Sequence, residues 1–166
     1  MPQLPPLPPG ALVLVDSSAL VYLVEGETSS ARRSTVEAFF TEAQARSWRL
    51  SASVVAWAEL LELPLARNDA VLADRYRRLL SGGRLELLVV DVAVAERAAL
   101  LSASLAPGLR RSLSTADLIH IATASIAGAN AVLGNDESWR AVQLCPPLLL
   151  VDELAFDSAT KLSAES

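Results

Sequence analysis

The sequence predicts an α/β domain built in three layers, with a mostly parallel central sheet of four to five strands and helices on both faces. Two patterns lead to this fold class. Short apolar runs alternate along the chain with longer segments of helical periodicity. The runs themselves, such as LVLV at 12–15 and LLLV at 148–151, are continuously apolar, which is typical of parallel strands buried on both faces.

The individual elements follow from local patterns. After a first strand at 12–15, apolar residues recur at 36, 39, 40 and 43, the spacing of one helical face. The middle of the chain is expected to contain strands at 50–52 and 87–90, and helices at 53–66, 68–80 and 92–105. The last part is expected to contain helices at 114–128 and 137–142, and strands at 131–133 and 148–151.

Length and composition indicate one domain. The chain has 166 residues, of which 52% are hydrophobic and 20% charged, enough to bury a core. We expect the domain to span 11–155, between a flexible Pro-rich tail at 1–10 and a polar tail at 156–166. A single cysteine, Cys145, gives no internal disulfide. Because the N-terminus is a poor signal peptide and no apolar run reaches the roughly 18 residues of a membrane span, we expect a cytoplasmic protein.

The charge balance limits how the protein could bind nucleic acid. Its net charge is −5, with thirteen arginines and one lysine. An acidic protein gains little general attraction to phosphates. If the ligand is nucleic acid, a metal ion or a local arginine cluster must supply the positive charge.

Four acidic residues stand at unusual positions. Asp16 and Asp136 directly follow the first and fourth predicted strands, at the sheet edge where ligands bind in such folds. Glu59 and Asp117 lie in two largely apolar helices. Each Asp could simply cap a helix, with Ser114 completing a capping box around Asp117, but capping does not explain Glu59.

Grouped together, these carboxylates would repel one another, and a hard divalent cation would relieve the repulsion. Oxygen ligands suit Mg²⁺ or Mn²⁺. One histidine and one cysteine in the chain argue against a structural zinc site. The acidic set therefore predicts a magnesium or manganese site at the carboxyl edge of the sheet.

Four segments, taken in order over residues 12–152, resemble the PIN-domain ribonucleases, and among them the VapC-type toxins of bacterial toxin–antitoxin pairs. They are the strand ending in DSSAL, then SVVAWAELLEL, ADLIHIATA and AVLGNDESW. The resemblance implies that the four acids are catalytic: Asp16, Glu59, Asp117 and Asp136. It further implies that Asp16, Asp117 and Asp136 bind Mg²⁺ or Mn²⁺ and that Ser18 supports the site.

Other positions near these motifs are candidates for supporting roles. Gly134 stands where the family usually has threonine, so a supporting hydroxyl is missing, and Asn135 is a candidate to compensate. Arg110 and Arg111, in a predicted loop, could contact substrate phosphates. His120 lies one helical turn after Asp117 and is a candidate substrate-binding residue, with a core histidine as the alternative.

The resemblance implies a metal-dependent endoribonuclease that acts as a toxin, with RNA as substrate, a cognate antitoxin as partner and a homodimeric state. The alternative is a catalytically inactive PIN-like module that binds protein or RNA, a reading that the Gly134 departure supports and the retention of four carboxylates opposes. Two other families fit less well. A haloacid-dehalogenase-type phosphatase would need an Asp where Ser18 stands, and a response-regulator receiver would need an acidic neighbour beside Asp16.

Overall fold

The computed structural model describes residues 6–27 and 30–154. The first half of the described chain contains β1 (Leu12–Val15), α1 (Ser17–Glu25), α2 (Ala31–Ala45), β2 (Arg49–Ser53), α3 (Val55–Ala66) and α4 (Ala70–Ser81). The second half contains β3 (Glu86–Leu88), α5 (Val92–Ser104), α6 (Pro107–Ser112), α7 (Thr115–Ile126), β4 (Ala131–Gly134) and β5 (Leu148–Leu150). Two short 3₁₀ helices lie at Glu137–Ala141 and Val151–Glu153.

The five strands form one parallel sheet in the order β3-β2-β1-β4-β5. The predicted fold class is therefore confirmed, with every pairing parallel. β1 is the central strand, and its last residue, Val15, is in register with Leu133 of β4. The carboxyl ends of β1, β2 and β4 thus lie side by side, which places whatever follows β1 at the middle of this edge.

Two hydrophobic cores flank the sheet and make the three layers. Val13 and Val15 of β1 face a core formed with α1, α2, α3 and α4. Leu14, between them, faces the other core, which includes residues of α5, α7 and the 3₁₀ helix Glu137–Ala141. This alternation follows from the twofold periodicity of side chains along a strand. Because both faces are covered, the strands can be apolar throughout.

Three of the differences from the sequence prediction concern short elements between α4 and β5. A short helix, α6, replaces the predicted loop that carries Arg110 and Arg111, because Pro107 occupies its first turn with a backbone angle suited to helix. The helix predicted at 137–142 is a 3₁₀ helix over Glu137–Ala141, and β3 ends at Leu88, two residues earlier than expected. Each difference concerns a short element, where local periodicity carries little information.

The predicted tails fall largely outside the described part of the chain. Residues 1–5 and 155–166 are not among the described residues, so the expectations for the tails 1–10 and 156–166 stay predictions. Within 6–27 and 30–154, the helices are all too short or too polar to traverse a bilayer.

Candidate active site

Asp16 lies at the centre of the carboxyl edge, directly after β1. Its backbone N–H donates to the carbonyl of Leu133 at 2.8 Å, which continues the pairing of β1 with β4. Its Oδ2 accepts hydrogen bonds from the N–H and hydroxyl of Ser18, at 3.2 and 2.6 Å, so Asp16 also caps α1. Only 7% of the residue is exposed, and this burial holds the pKa of Asp16 above its ordinary value.

Glu59 meets two other side chains beside Asp16. The Nε2 of His120, on α7, lies 2.6 Å from Glu59 Oε2, and the hydroxyl of Ser17 donates to the same oxygen. The same Nε2 lies 4.0 Å from Asp16 Oδ1. Residues from α1, α3 and α7 and the end of β1 therefore converge on one point, which we call the buried half of the site: Asp16, Ser17, Glu59 and His120.

The charges in the buried half shift one another's pKa values. Burial raises the pKa of Glu59, but the hydrogen bond and charge of His120 outweigh it and leave the pKa below its ordinary value. Burial likewise lowers the pKa of His120, but the Glu59 hydrogen bond and the nearby negative charges outweigh it and leave the pKa raised. An anionic Glu59 facing a cationic or N–H-donating His120 is the state these shifts favour.

His120 does not face a substrate, although its place one helical turn after Asp117 made it a candidate for substrate binding. It is fully buried, and its ring stacks on that of Trp139, with centroids 6.1 Å apart and ring planes at 22°. Its Nδ1 has no hydrogen-bond partner among the described residues. His120 has no exposed surface and does not reach a bound substrate in this conformation, because this part of α7, including Ile121 and Ala124, is packed in the core.

Asp117, which is half-buried, and Asp136, which is exposed, form what we call the exposed half, and each is held by a serine of its own turn. Ser114 donates to Asp117 Oδ2 from its N–H and its hydroxyl, both at 2.7 Å, in the capping box that the sequence predicted. Ser138 donates to Asp136 Oδ1 from its N–H at 2.9 Å and its hydroxyl at 2.6 Å. The capping explanation thus holds for these two residues as it does for Asp16.

Gly134 and Asn135 precede Asp136 and face different neighbours. A Cβ at Gly134 would lie 3.3 Å from the Asp16 Cβ, closer than an ordinary contact, so glycine gives Asp16 its room. The amide of Asn135 donates to the Tyr22 hydroxyl at 3.2 Å and to Asp152 at 3.0 Å. The described hydrogen bonds of Asn135 therefore tie the turn before Asp136 to Asp152. The hydroxyl that donates to Asp136 belongs to a serine, Ser138.

The two candidate arginines differ in their contacts. The guanidinium of Arg110 donates to the carbonyls of Ser102, Ala103 and Leu105 at 3.1 to 3.3 Å, which satisfies the C-terminus of α5. Arg111 is exposed, and its side chain makes no hydrogen bond or ion pair within the part of the chain that the structure describes. Of the two, Arg111 is the one whose charge remains available to a ligand.

The donors present suit a hard divalent cation in kind. All four candidate acids offer carboxylate oxygens, and a serine occupies one oxygen of each, leaving a second oxygen without a hydrogen bond from any described residue. In this conformation, however, no three His, Cys, Asp or Glu side chains within 6–27 and 30–154 stand close enough to hold an ion together. The side chains would have to draw in around the metal.

Two residues of the site were not singled out from the sequence, Ser17 and Ser138. Serines follow Asp16 by one and two positions and Asp136 by two, but many serines occur near helix starts, where they cap. A serine two residues after a strand-end Asp is the only available signal, and it applies to Ser18 and Ser138. Nothing local marks Ser17, because its partner Glu59 is 42 positions away.

Comparison with known proteins agrees with this architecture. The family model described as PIN domain matches residues 13–143. No curated protein matches the chain. A chain of VapBC2 from Rickettsia felis, solved with a DNA fragment from the promoter, is 14% identical with TM-score 0.65, covering 84% of this chain and 98% of its own.

Two similar structures come from Mycobacterium tuberculosis. VapC20, described as a toxin that cleaves the sarcin–ricin loop, is 18% identical with TM-score 0.63, covering 78% of this chain and 93% of its own. A chain of the VapBC-5 toxin–antitoxin structure is 23% identical with TM-score 0.56, covering 84% and 97%. At these identities the structures show a shared fold. The family model spans most of the chain, and the protein therefore belongs to the PIN-domain family.

Proposed function

We propose that this protein is a metal-dependent endoribonuclease and the toxin component of a type II toxin–antitoxin system. The observation that carries the proposal is the buried half of the site. Asp16 is kept at the carboxyl edge of the sheet despite its burial, and Glu59 and His120 are held against it. Such a costly group of charges is typical of a catalytic centre.

The chain's own residues would divide the work. Asp16, Asp117 and Asp136 are the proposed ligands of Mg²⁺ or Mn²⁺, each through the oxygen that its serine leaves free. When bound, the ion supplies a more acidic water and offsets charge on the phosphodiester. Glu59, whose pKa His120 holds below its ordinary value, would orient an attacking water and accept its proton.

RNA as the substrate class has two sources of support. The chain shares its fold with VapC20, whose description names the sarcin–ricin loop as the target. Arg111 offers an exposed guanidinium on α6, close in sequence to Asp117, for a substrate phosphate. With a net charge of −5 the protein attracts RNA weakly overall, so the ion and local arginines would carry the binding.

The proposed partners are a cognate antitoxin and a second copy of the chain, in the cytoplasm. Similar folds occur in structures described as VapBC toxin–antitoxin complexes. α5 presents the apolar side chains Val92 and Leu100 to solvent, with 82% and 62% of each exposed. A partner that packs on α5 would cover these two side chains.

The test is to replace Asp16 by asparagine, which keeps a helix cap but removes the charge. We expect Asp16→Asn to lose Mn²⁺ binding in calorimetry and to cut RNA more than about a hundredfold more slowly, since outer-shell changes alone cost ~10–100-fold. The matched control is Asp69→Asn, because Asp69 caps α4 through a 2.9 Å bond to the Leu72 N–H and has no role in the site. Equal cleavage by wild type and Asp16→Asn would end the proposal.

One observation favours a second candidate, an inactive PIN-like module that binds protein or RNA. The described acids form no three-residue metal cluster in this conformation. This alternative predicts that Mn²⁺ gives no heat in calorimetry, and that wild type and Asp16→Asn bind RNA equally without cutting it.

A further inference from the structure

His120 is the residue of the site whose surroundings the proposed function leaves unexplained. We propose that His120 is a positioning residue which, together with Ser17, fixes the Glu59 carboxylate so that its Oε1 stays available to the reacting water. This inference rests on the proposed nuclease function. It assigns to the one histidine of the chain a role that acts through Glu59.

The geometry carries the inference. The His120 Nε2 and the Ser17 hydroxyl both donate to Oε2 of Glu59, because a carboxylate can only accept. Two donors on one oxygen fix the rotation of the carboxylate. Oε1 accepts no hydrogen bond from any residue in 6–27 or 30–154, so one defined oxygen of Glu59 is left for another ligand.

The ring of His120 is itself held in place. Trp139 is buried and stacks on it at 6.1 Å, and it lies in the 3₁₀ helix that Asp136 caps. Rotating the imidazole away from Glu59 would break this stack. The orientation of Glu59 is thereby linked to the turn that carries Asp136.

Other roles for His120 fit the contacts less well. A serine–histidine–acid nucleophile would have serine and acid on opposite imidazole nitrogens, whereas Ser17 and Glu59 both meet Nε2. Substrate contact is excluded by burial. A purely structural core residue would not need a buried Nδ1 that finds no partner in the described chain, and an aliphatic side chain would fill the same space.

The kinetic test compares His120→Leu, which removes the donor and keeps an apolar side chain, with His120→Gln, whose amide can donate to Glu59. We expect His120→Leu to lower kcat by roughly ten- to a hundredfold at nearly unchanged KM, and His120→Gln to recover a large part of it. The control is Thr123→Val, which removes a buried hydroxyl one turn along α7 that bonds Ile119 rather than an acid, and leaves kcat unchanged. Wild-type kcat in His120→Leu, or equal losses in the leucine and glutamine variants, would overturn the inference.

A spectroscopic test separates this inference from the proposed function. Because the chain has a single histidine, isotope-labelled histidine gives the ring nitrogens of His120 alone. We expect Glu59→Gln and Ser17→Ala each to shift the Nε2 resonance, and Asp69→Asn to leave it in place, whether or not the protein cuts RNA. Absence of RNA cleavage by wild type would refute the nuclease, while an Nε2 resonance indifferent to Glu59→Gln would refute the positioning role.

Discussion

The two halves of the acidic site are held by different kinds of contact. In the buried half, Asp16 and Glu59 come from β1 and α3 and meet through His120 of α7, so their arrangement depends on how three elements pack. In the exposed half, Asp117 and Asp136 each bond a serine within three residues along the chain. The buried half is held by contacts between elements, and the exposed half by contacts that are local in the sequence.

This difference indicates which of the four acidic side chains can change position and which are fixed by packing. The side-chain hydrogen bonds of Asp117 and Asp136 lie within their own turns, so rotating either carboxylate breaks no side-chain hydrogen bond between elements. Glu59 cannot move without disturbing α7, because His120 is bonded to it on one side and stacked on Trp139 on the other. If the site closes around an ion, we therefore expect Asp117 and Asp136 to move towards Asp16.

The largest expected effect comes from removing the side chain that joins the two halves. Trp139 is 1% exposed, so Trp139→Ala leaves a cavity and frees the His120 ring. We expect a loss of about 3–5 kcal/mol in the free energy of unfolding, measured in urea. Trp139→Phe, which keeps a stacked ring, should lose clearly less, and equal losses in both variants would show that the stack does not join the halves.

A smaller effect is expected from Glu59→Gln, which removes the anion facing the buried His120. Leaving a buried polar group without its charged partner costs about 1–3 kcal/mol. The counterpart in the exposed half is Asp136→Asn, which keeps a good cap and should stay within about 0.5 kcal/mol. Urea unfolding of both variants tests the comparison, and a larger loss in Asp136→Asn would invert it.

The buried half also predicts how stability depends on pH in metal-free buffer. The pKa of His120 is raised on folding by the Glu59 bond and the surrounding acids, after burial has acted against it. The folded state then holds a proton that the unfolded chain releases, so the stability from His120 is complete below about pH 6.5 and lost as the pH rises through the folded pKa.

The expected slope is at most about 1.4 kcal/mol per pH unit, the value for one proton. Asp16, whose pKa burial raises, acts in the same direction at lower pH. Glu59 acts oppositely but only at the acid end, because its pKa is lowered. Thermal unfolding from pH 6 upwards measures the slope, and His120→Gln should flatten it; a slope that persists in that variant would have another source.

Features that depend on local contacts could be predicted from the sequence, whereas those that depend on contacts between elements could not. The strands β1, β4 and β5 were predictable because they lie in apolar runs, and the Ser114–Asp117 capping box because its spacing is local. The sequence could not show which of two adjacent serines bonds Glu59, since that depends on the rotation of α1 against α3. The burial of His120 was also hidden, because a polar residue among apolar neighbours fits either a helix rim or a core.

The smallest predicted effect concerns the exposed half. Ser138→Ala removes the hydroxyl that bonds Asp136 Oδ1 at 2.6 Å but keeps the backbone N–H bond at 2.9 Å. Since one of two donors remains, the loss in unfolding free energy should be about 0.5–1 kcal/mol, at the low end for a cap. The same substitution at Ser17 serves as the comparison, because its partner Glu59 keeps the His120 bond but loses a contact between α1 and α3.

In hydrogen exchange, Ser138→Ala should raise exchange only in the 3₁₀ helix Glu137–Ala141, whereas Ser17→Ala should raise it in both α1 and α3. If Ser138→Ala also loosened α7, the exposed half would not be local.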